Sequence, residues 1–77
     1  MRQVSWQRFV AALHALGCQP VLDAEHMISL SFRAMLVFRI RKMSPVTIGL
    51  QERTIAAMDV DKATYLAVLA GVAPPIE

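Results

Sequence analysis

The chain has 77 residues, 56% of them hydrophobic and 18% charged, with a formal net charge of +2 and one cysteine. That length holds one compact domain spanning 1–77 and excludes a multidomain enzyme, while a single thiol excludes an internal disulfide and no Cys/His spacing suits a structural zinc site. A fold this small buries only about 60% of its unfolded surface, yet its apolar content exceeds the ~45–50% of an ordinary domain, so a homodimer or higher homo-oligomer is expected.

In chain order, the first predicted element is an amphipathic helix over residues 5–16. Trp6, Phe9, Val10, Leu13 and Leu16 recur at three- and four-residue steps and form one apolar stripe. Ser5 suits the N-cap, Val4 and Phe9 are spaced as a hydrophobic staple, and Gly17 suits the left-handed residue that closes a helix. Arg2 and Arg8 ahead of the run from Phe9 to Cys18 resemble a bacterial lipoprotein signal, but His14 interrupts the apolar region and Leu16 stands where a small residue belongs. The lone cysteine fits a reducing cytosol, and a cytoplasmic location is the expectation. No membrane span is expected, the longest uncharged stretches between Asp23 and Arg53 being far below the ~18 apolar residues required.

Pro20 keeps residues 18–22 extended and suits them to a short edge strand. Residues 28–41 then carry the strongest periodic signal in the chain. Ile28, Leu30, Phe32, Ala34, Leu36, Phe38 and Ile40 hold the even positions, and Ser29, Ser31, Arg33, Arg39 and Arg41 hold odd ones, a strand pattern with one buried face. A helix over 23–43 is the rival, and it would scatter arginine and apolar residues around its whole circumference. As one straight strand the segment would span ~46 Å, against a radius of gyration of ~11–12 Å for a chain of this size. A hairpin with an odd-length loop at 34–36 keeps the faces matched by pairing Phe32 with Phe38 and Leu30 with Ile40. That loop has no Gly, Asn or Asp, so a bent strand crossing into a partner subunit stands beside the hairpin as the second arrangement.

After Ser44-Pro45, the alternation of Val46, Ile48 and Leu50 with Thr47, Gly49 and Gln51 predicts a further short strand. Residues 51–58 fit either a helical turn or another strand. A terminal helix follows, with Asp59 or Asp61 as N-cap, Ala63, Leu66, Leu69 and Ala70 on one stripe, and Gly71 at its stop. Residues 73–77 read as an extended Pro-rich tail. The fold class expected is α+β: an N-terminal amphipathic helix, a small antiparallel sheet of three to four strands, and a C-terminal helix.

The catalytic inventory is thin. His14 and Cys18 lie four apart, the spacing of a thiolate–imidazole pair, yet a free cysteine is more often a small buried apolar residue. Asp23-Ala24-Glu25-His26 places acids beside a histidine, as a general base requires, and it is also the composition of a polar turn. No residue set completes a nucleophile, base and orienter, no phosphate or dinucleotide loop is present, and no cofactor or metal is expected.

Charge is more informative. Residues 33–53 hold Arg33, Arg39, Arg41, Lys42 and Arg53 against Glu52, a local net of +4; residues 54–77 carry a net of −2. The odd positions of Arg33, Arg39 and Arg41 place them on the outward strand face, where with Lys42 they form a candidate binding row for phosphates or an acidic protein surface. Phe32 and Phe38 have the opposite parity, so this face cannot offer both stacking rings and charge as single-strand RNA platforms do.

The order helix, strands, terminal helix is similar to the double-stranded-RNA-binding-like fold shared by the small HicA-type toxins that cleave messenger RNA. His26 lies at a similar distance beyond Gly17 as the histidine that begins their second strand, and Thr64-Tyr65-Leu66-Ala67-Val68-Leu69-Ala70-Gly71 is similar to their last helix. Ala24-Glu25 replaces their Gly-Ser pair, and residues 43–58 exceed their usual connection. The resemblance implies a nucleic-acid-binding chain with His26 as its catalytic residue. The residues themselves favour a non-catalytic protein-interaction module that self-associates through its apolar sheet, at Ile28, Leu30, Phe32 and Phe38, or through its terminal helix, and binds a partner protein.

Overall fold

The computed structural model describes residues 2–72; the Pro-rich segment at 73–77 lies outside the described residues. Six elements follow one another: α1 (Trp6–Ala15), β1 (Cys18–Asp23), β2 (Met27–Phe32), β3 (Leu36–Arg41), α2 (Ile48–Ala57) and α3 (Lys62–Gly71). The chain is α+β, with three helices and an antiparallel sheet of strand order β1-β2-β3. Among the described residues, no helix is long and apolar enough to cross a membrane.

Both ends of α1 form as its residues dictate. The Ser5 hydroxyl accepts from the Arg8 N–H, and Gly17 takes φ +110°, a conformation that costs glycine nothing. The helix buries Phe9, Ala12 and Leu13 and half-buries Trp6, Val10 and Leu16. Across the sheet the even-numbered face meets it, with Ile28, Leu30, Phe32 and Ile40 all inside.

Residues 28–41 fold as a hairpin, which the overall dimensions of 29 × 27 × 21 Å require of so long a run. The loop has the odd length that parity demands, but it lies at 33–35 instead of 34–36. Phe32 therefore pairs with Leu36, Leu30 with Phe38 and Ile28 with Ile40. Arg33 and Ala34 make the turn at φ 55° and 57°, left-handed values that non-glycine side chains rarely adopt.

The strand expected over Val46–Leu50 does not form. Thr47 caps a helix instead, its Oγ1 accepting from the Leu50 N–H at 3.2 Å, and α2 runs on through Ala57. Val46 alone pairs in an extended bridge, with Val4. At the far end of α2, Asp59 sits at φ 56° while the Val60 N–H reaches the Ile55 carbonyl and the Asp59 N–H that of Ala56, the paired bonds of a Schellman closure. Of the two candidate caps for α3, Asp61 is the one used, through the Thr64 N–H.

All three helices feed one core on the even face of the sheet, joined there by Ile55, Met58, Tyr65 and Leu69. Tyr65 packs edge-on to Phe9 at 6.4 Å between ring centroids. Arg8 sends Nη2 to the Leu69 carbonyl at 3.0 Å, placing a cation near the negative end of α3. The odd face, turned away from this core, is the more open one: Leu22, Val37, Arg39 and Arg41 are exposed there while Ser29 at its centre is buried, and that open face positions the candidate site.

Candidate protein-binding surface

Strand parity places Arg39 and Arg41 on the open face, where both are exposed. Neither forms an ion pair among the described residues. Around them on the same face stand Ser29 and Ser31 of β2, Val37 of β3 and Leu22 of β1, which register opposite or beside one another. Val21 occupies the irregularity between Pro20 and Leu22. Antiparallel sheets that turn one face to water ordinarily carry polar residues there. Here Val21, Leu22 and Val37 are 61%, 61% and 62% exposed.

The other two cations expected in the binding row are committed elsewhere. Arg33 lies in the hairpin turn with its guanidinium 5.0 Å from the Phe32 ring centre. Lys42 lies just beyond β3, where its ammonium pairs with Asp23 and sits 5.6 Å over the Trp6 ring. The four residues expected at an oligomer interface belong to this chain's own interior. Ile28, Leu30 and Phe32 are buried, and Phe38 is half-buried against the same core.

The two edges of the sheet differ. Along β1, Pro20 removes a donor and the register shift between Pro20 and Leu22 breaks the ladder, both of which blunt an edge. Along β3 the register is unbroken. The Lys42 N–H donates to the His26 carbonyl at 2.9 Å, and bonded pairs alternate along an antiparallel ladder. It follows that Ile40, Phe38 and Leu36 bond to β2, while the backbone groups of Val37, Arg39 and Arg41 point away from it. Beside this edge runs a groove of about 320 Å³ between β3 and the start of α2, lined by Met43, Pro45, Val46 and Leu50 together with both arginines.

The candidate catalytic groups are not assembled. His26 lies in the β1–β2 connection, with its ring 90% exposed and 4.0 Å from the equally open Glu25 carboxylate. His14 uses Nδ1 to donate to the Cys18 backbone carbonyl at 3.0 Å, leaving the thiol without it. Burial pushes the Cys18 thiol above its ordinary pKa, the reverse of what a thiolate nucleophile needs. Among the described residues, no group of three or more His, Cys, Asp or Glu side chains is placed to hold a metal ion.

The buried polar cluster is the feature that residue patterns did not indicate. Gln51 is fully buried on α2, accepts from the Tyr65 hydroxyl at 2.6 Å, and donates to the carbonyls of Arg2 at 2.8 Å and Val46 at 3.2 Å. It anchors the loop that forms one wall of the groove. In comparisons with known proteins, the chain matches no family model, no curated protein and no solved structure.

Proposed function

We propose that this chain is a non-catalytic protein-interaction module that self-associates through the sheet face its own helices leave open and also binds a partner protein. The observation that carries this reading is the exposure of Leu22 and Val37 on that face and of Val21 in the irregularity beside Leu22, since apolar side chains left open on a small domain mark a contact site. The His26 and Glu25 side chains, 4.0 Å apart and both open to solvent, have the setting of a polar turn, which supports the non-catalytic half of the reading. Sedimentation at micromolar concentration tests it: the wild type should exceed the monomer mass, and Val21→Glu/Leu22→Glu should return it to monomer. A wild type that stays monomeric overturns self-association.

Nucleic-acid binding is a second reading. It is favoured by Arg39 and Arg41, which form no ion pair among the described residues, and by the position of His26 immediately before β2. As a ribonuclease toxin the chain should arrest growth on expression, and His26→Ala should relieve the arrest. Normal growth with the wild type counts against it.

A further inference from the structure

We infer that the free edge of β3 and the groove beside it receive an extended segment of another protein in which acidic and apolar residues alternate, an occupant that rests on the protein-interaction reading above. The backbone carries the first part of the argument. Val37, Arg39 and Arg41 turn their N–H and C=O groups away from β2, and a row of unpaired ladder groups is a template for one more strand. The opposite edge is broken by Pro20 and its irregular register. Of the two sheet edges among the described residues, β3 is the one that offers several consecutive repeats of the ladder.

Side chains specify the occupant. A strand added at β3 presents alternate residues to opposite faces. On the open face its side chains stand beside the guanidinium groups of Arg39 and Arg41, whose charges no described carboxylate neutralises; on the other they point toward the groove, which the β3 edge at Arg39 and Arg41 borders on one side and Met43, Pro45 and Leu50 line on the other. Acids answer the first row and apolar residues the second. A second copy of this chain answers neither, because antiparallel pairing of two β3 edges sets odd positions against odd ones and gathers four guanidinium groups on one face, where like charges repel. A nucleic-acid strand has no peptide ladder to match this edge and no aliphatic side chains for the groove. Lys42 does not contribute, being held by Asp23 and Trp6.

The test uses the full chain, isotope-labelled, with a capped peptide of alternating Glu and Val or Leu, its counterpart with Lys in place of Glu, and a short oligouridine RNA. The acidic peptide should protect the amides of Val37, Arg39 and Arg41 from exchange. Arg39→Glu/Arg41→Glu should weaken its binding roughly tenfold, the effect of about two exposed charge pairs, and should turn the preference toward the Lys peptide. Unprotected edge amides, unchanged affinity in the charge-reversed variant, or displacement of the peptide by oligouridine at lower concentration each overturns the inference. Sedimentation of the same samples separates this result from self-association. Protected edge amides in the monomeric Val21→Glu/Leu22→Glu variant support the docking strand even where self-association is abolished, and unprotected amides in a self-associating wild type overturn the docking strand alone.

Discussion

The Tyr65 hydroxyl donates to the Gln51 side-chain carbonyl over 2.6 Å, and neither residue is exposed to solvent. Through the Gln51 amide the same pair reaches Arg2 and Val46, so one buried cluster joins α3, α2, the N-terminal segment and the loop after β3. Tyr65→Phe keeps the ring against Phe9 and strands the Gln51 oxygen, a buried acceptor whose loss of a partner costs about 1–3 kcal/mol. Urea denaturation should register that loss at an unchanged slope. A difference under ~0.5 kcal/mol, the size of an ordinary surface change, would show that the bond contributes little.

The same hydroxyl sets a limit at alkaline pH. Burial pushes the Tyr65 pKa up to about 12, against a smaller opposing pull from Arg8. The folded state thus holds a proton that the unfolded chain releases near pH ~10. Its contribution is complete below pH ~10 and is lost as pH rises through the folded value of about 12. Stability should fall across that window in the wild type and more shallowly in Tyr65→Phe. Parallel profiles for the two proteins would assign the alkaline loss to other groups.

Much of the fold was legible because local patterns and packing agree. Ser5, Gly17 and Asp61 mark helix ends by their own chemistry, and the even positions of 28–41 are the ones the core takes up. The hairpin register was displaced because Arg33 and Ala34, with no turn-forming character, adopt left-handed angles that only the tertiary fold imposes. α2 was hidden for a different reason. Its buried face is Gln51, Thr54, Ile55 and Met58, half of it polar, whereas the alternating Ile48 and Leu50 remain exposed. No hydropathy pattern marks a helix whose fully buried residue is an amide satisfied by three groups outside that helix. At the site, parity alone placed Arg39 and Arg41 together, but the commitments of Arg33 and Lys42 and the identity of the free edge depend on contacts remote in sequence.

The turn residues make a prediction opposite in sign to the usual effect of glycine. At φ 57° Ala34 carries a Cβ penalty of roughly 1–2 kcal/mol, part of which is offset by the restriction alanine places on the unfolded chain. Ala34→Gly should therefore raise stability by about 0.5–1 kcal/mol. Ala67→Gly, on the exposed side of α3, should lower it by about 1 kcal/mol. Thermal melts of the two variants must move in opposite directions; a destabilised Ala34→Gly protein would mean that the loop does not hold these angles in solution.

Cys18 gives a chemical measure of the closed core. Its residue is 1% exposed, burial raises its pKa, and the nearby His14 ring is occupied by a backbone carbonyl. Attack on a disulfide reagent requires an accessible thiolate, so modification of the folded protein has to await an opening that exposes the start of β1. If that opening is global, the modification rate should be slower than in denaturant by about the unfolding equilibrium constant, several powers of ten for a stable small domain. Tyr65→Phe, which lowers global stability, should then accelerate it in proportion. His14→Ala removes a bond to the Cys18 carbonyl without baring the sulfur and should change the rate only through its own effect on stability. Rapid labelling of the native wild type, or suppression of labelling by His14→Ala beyond its stability change, would instead identify an activated thiol–imidazole pair.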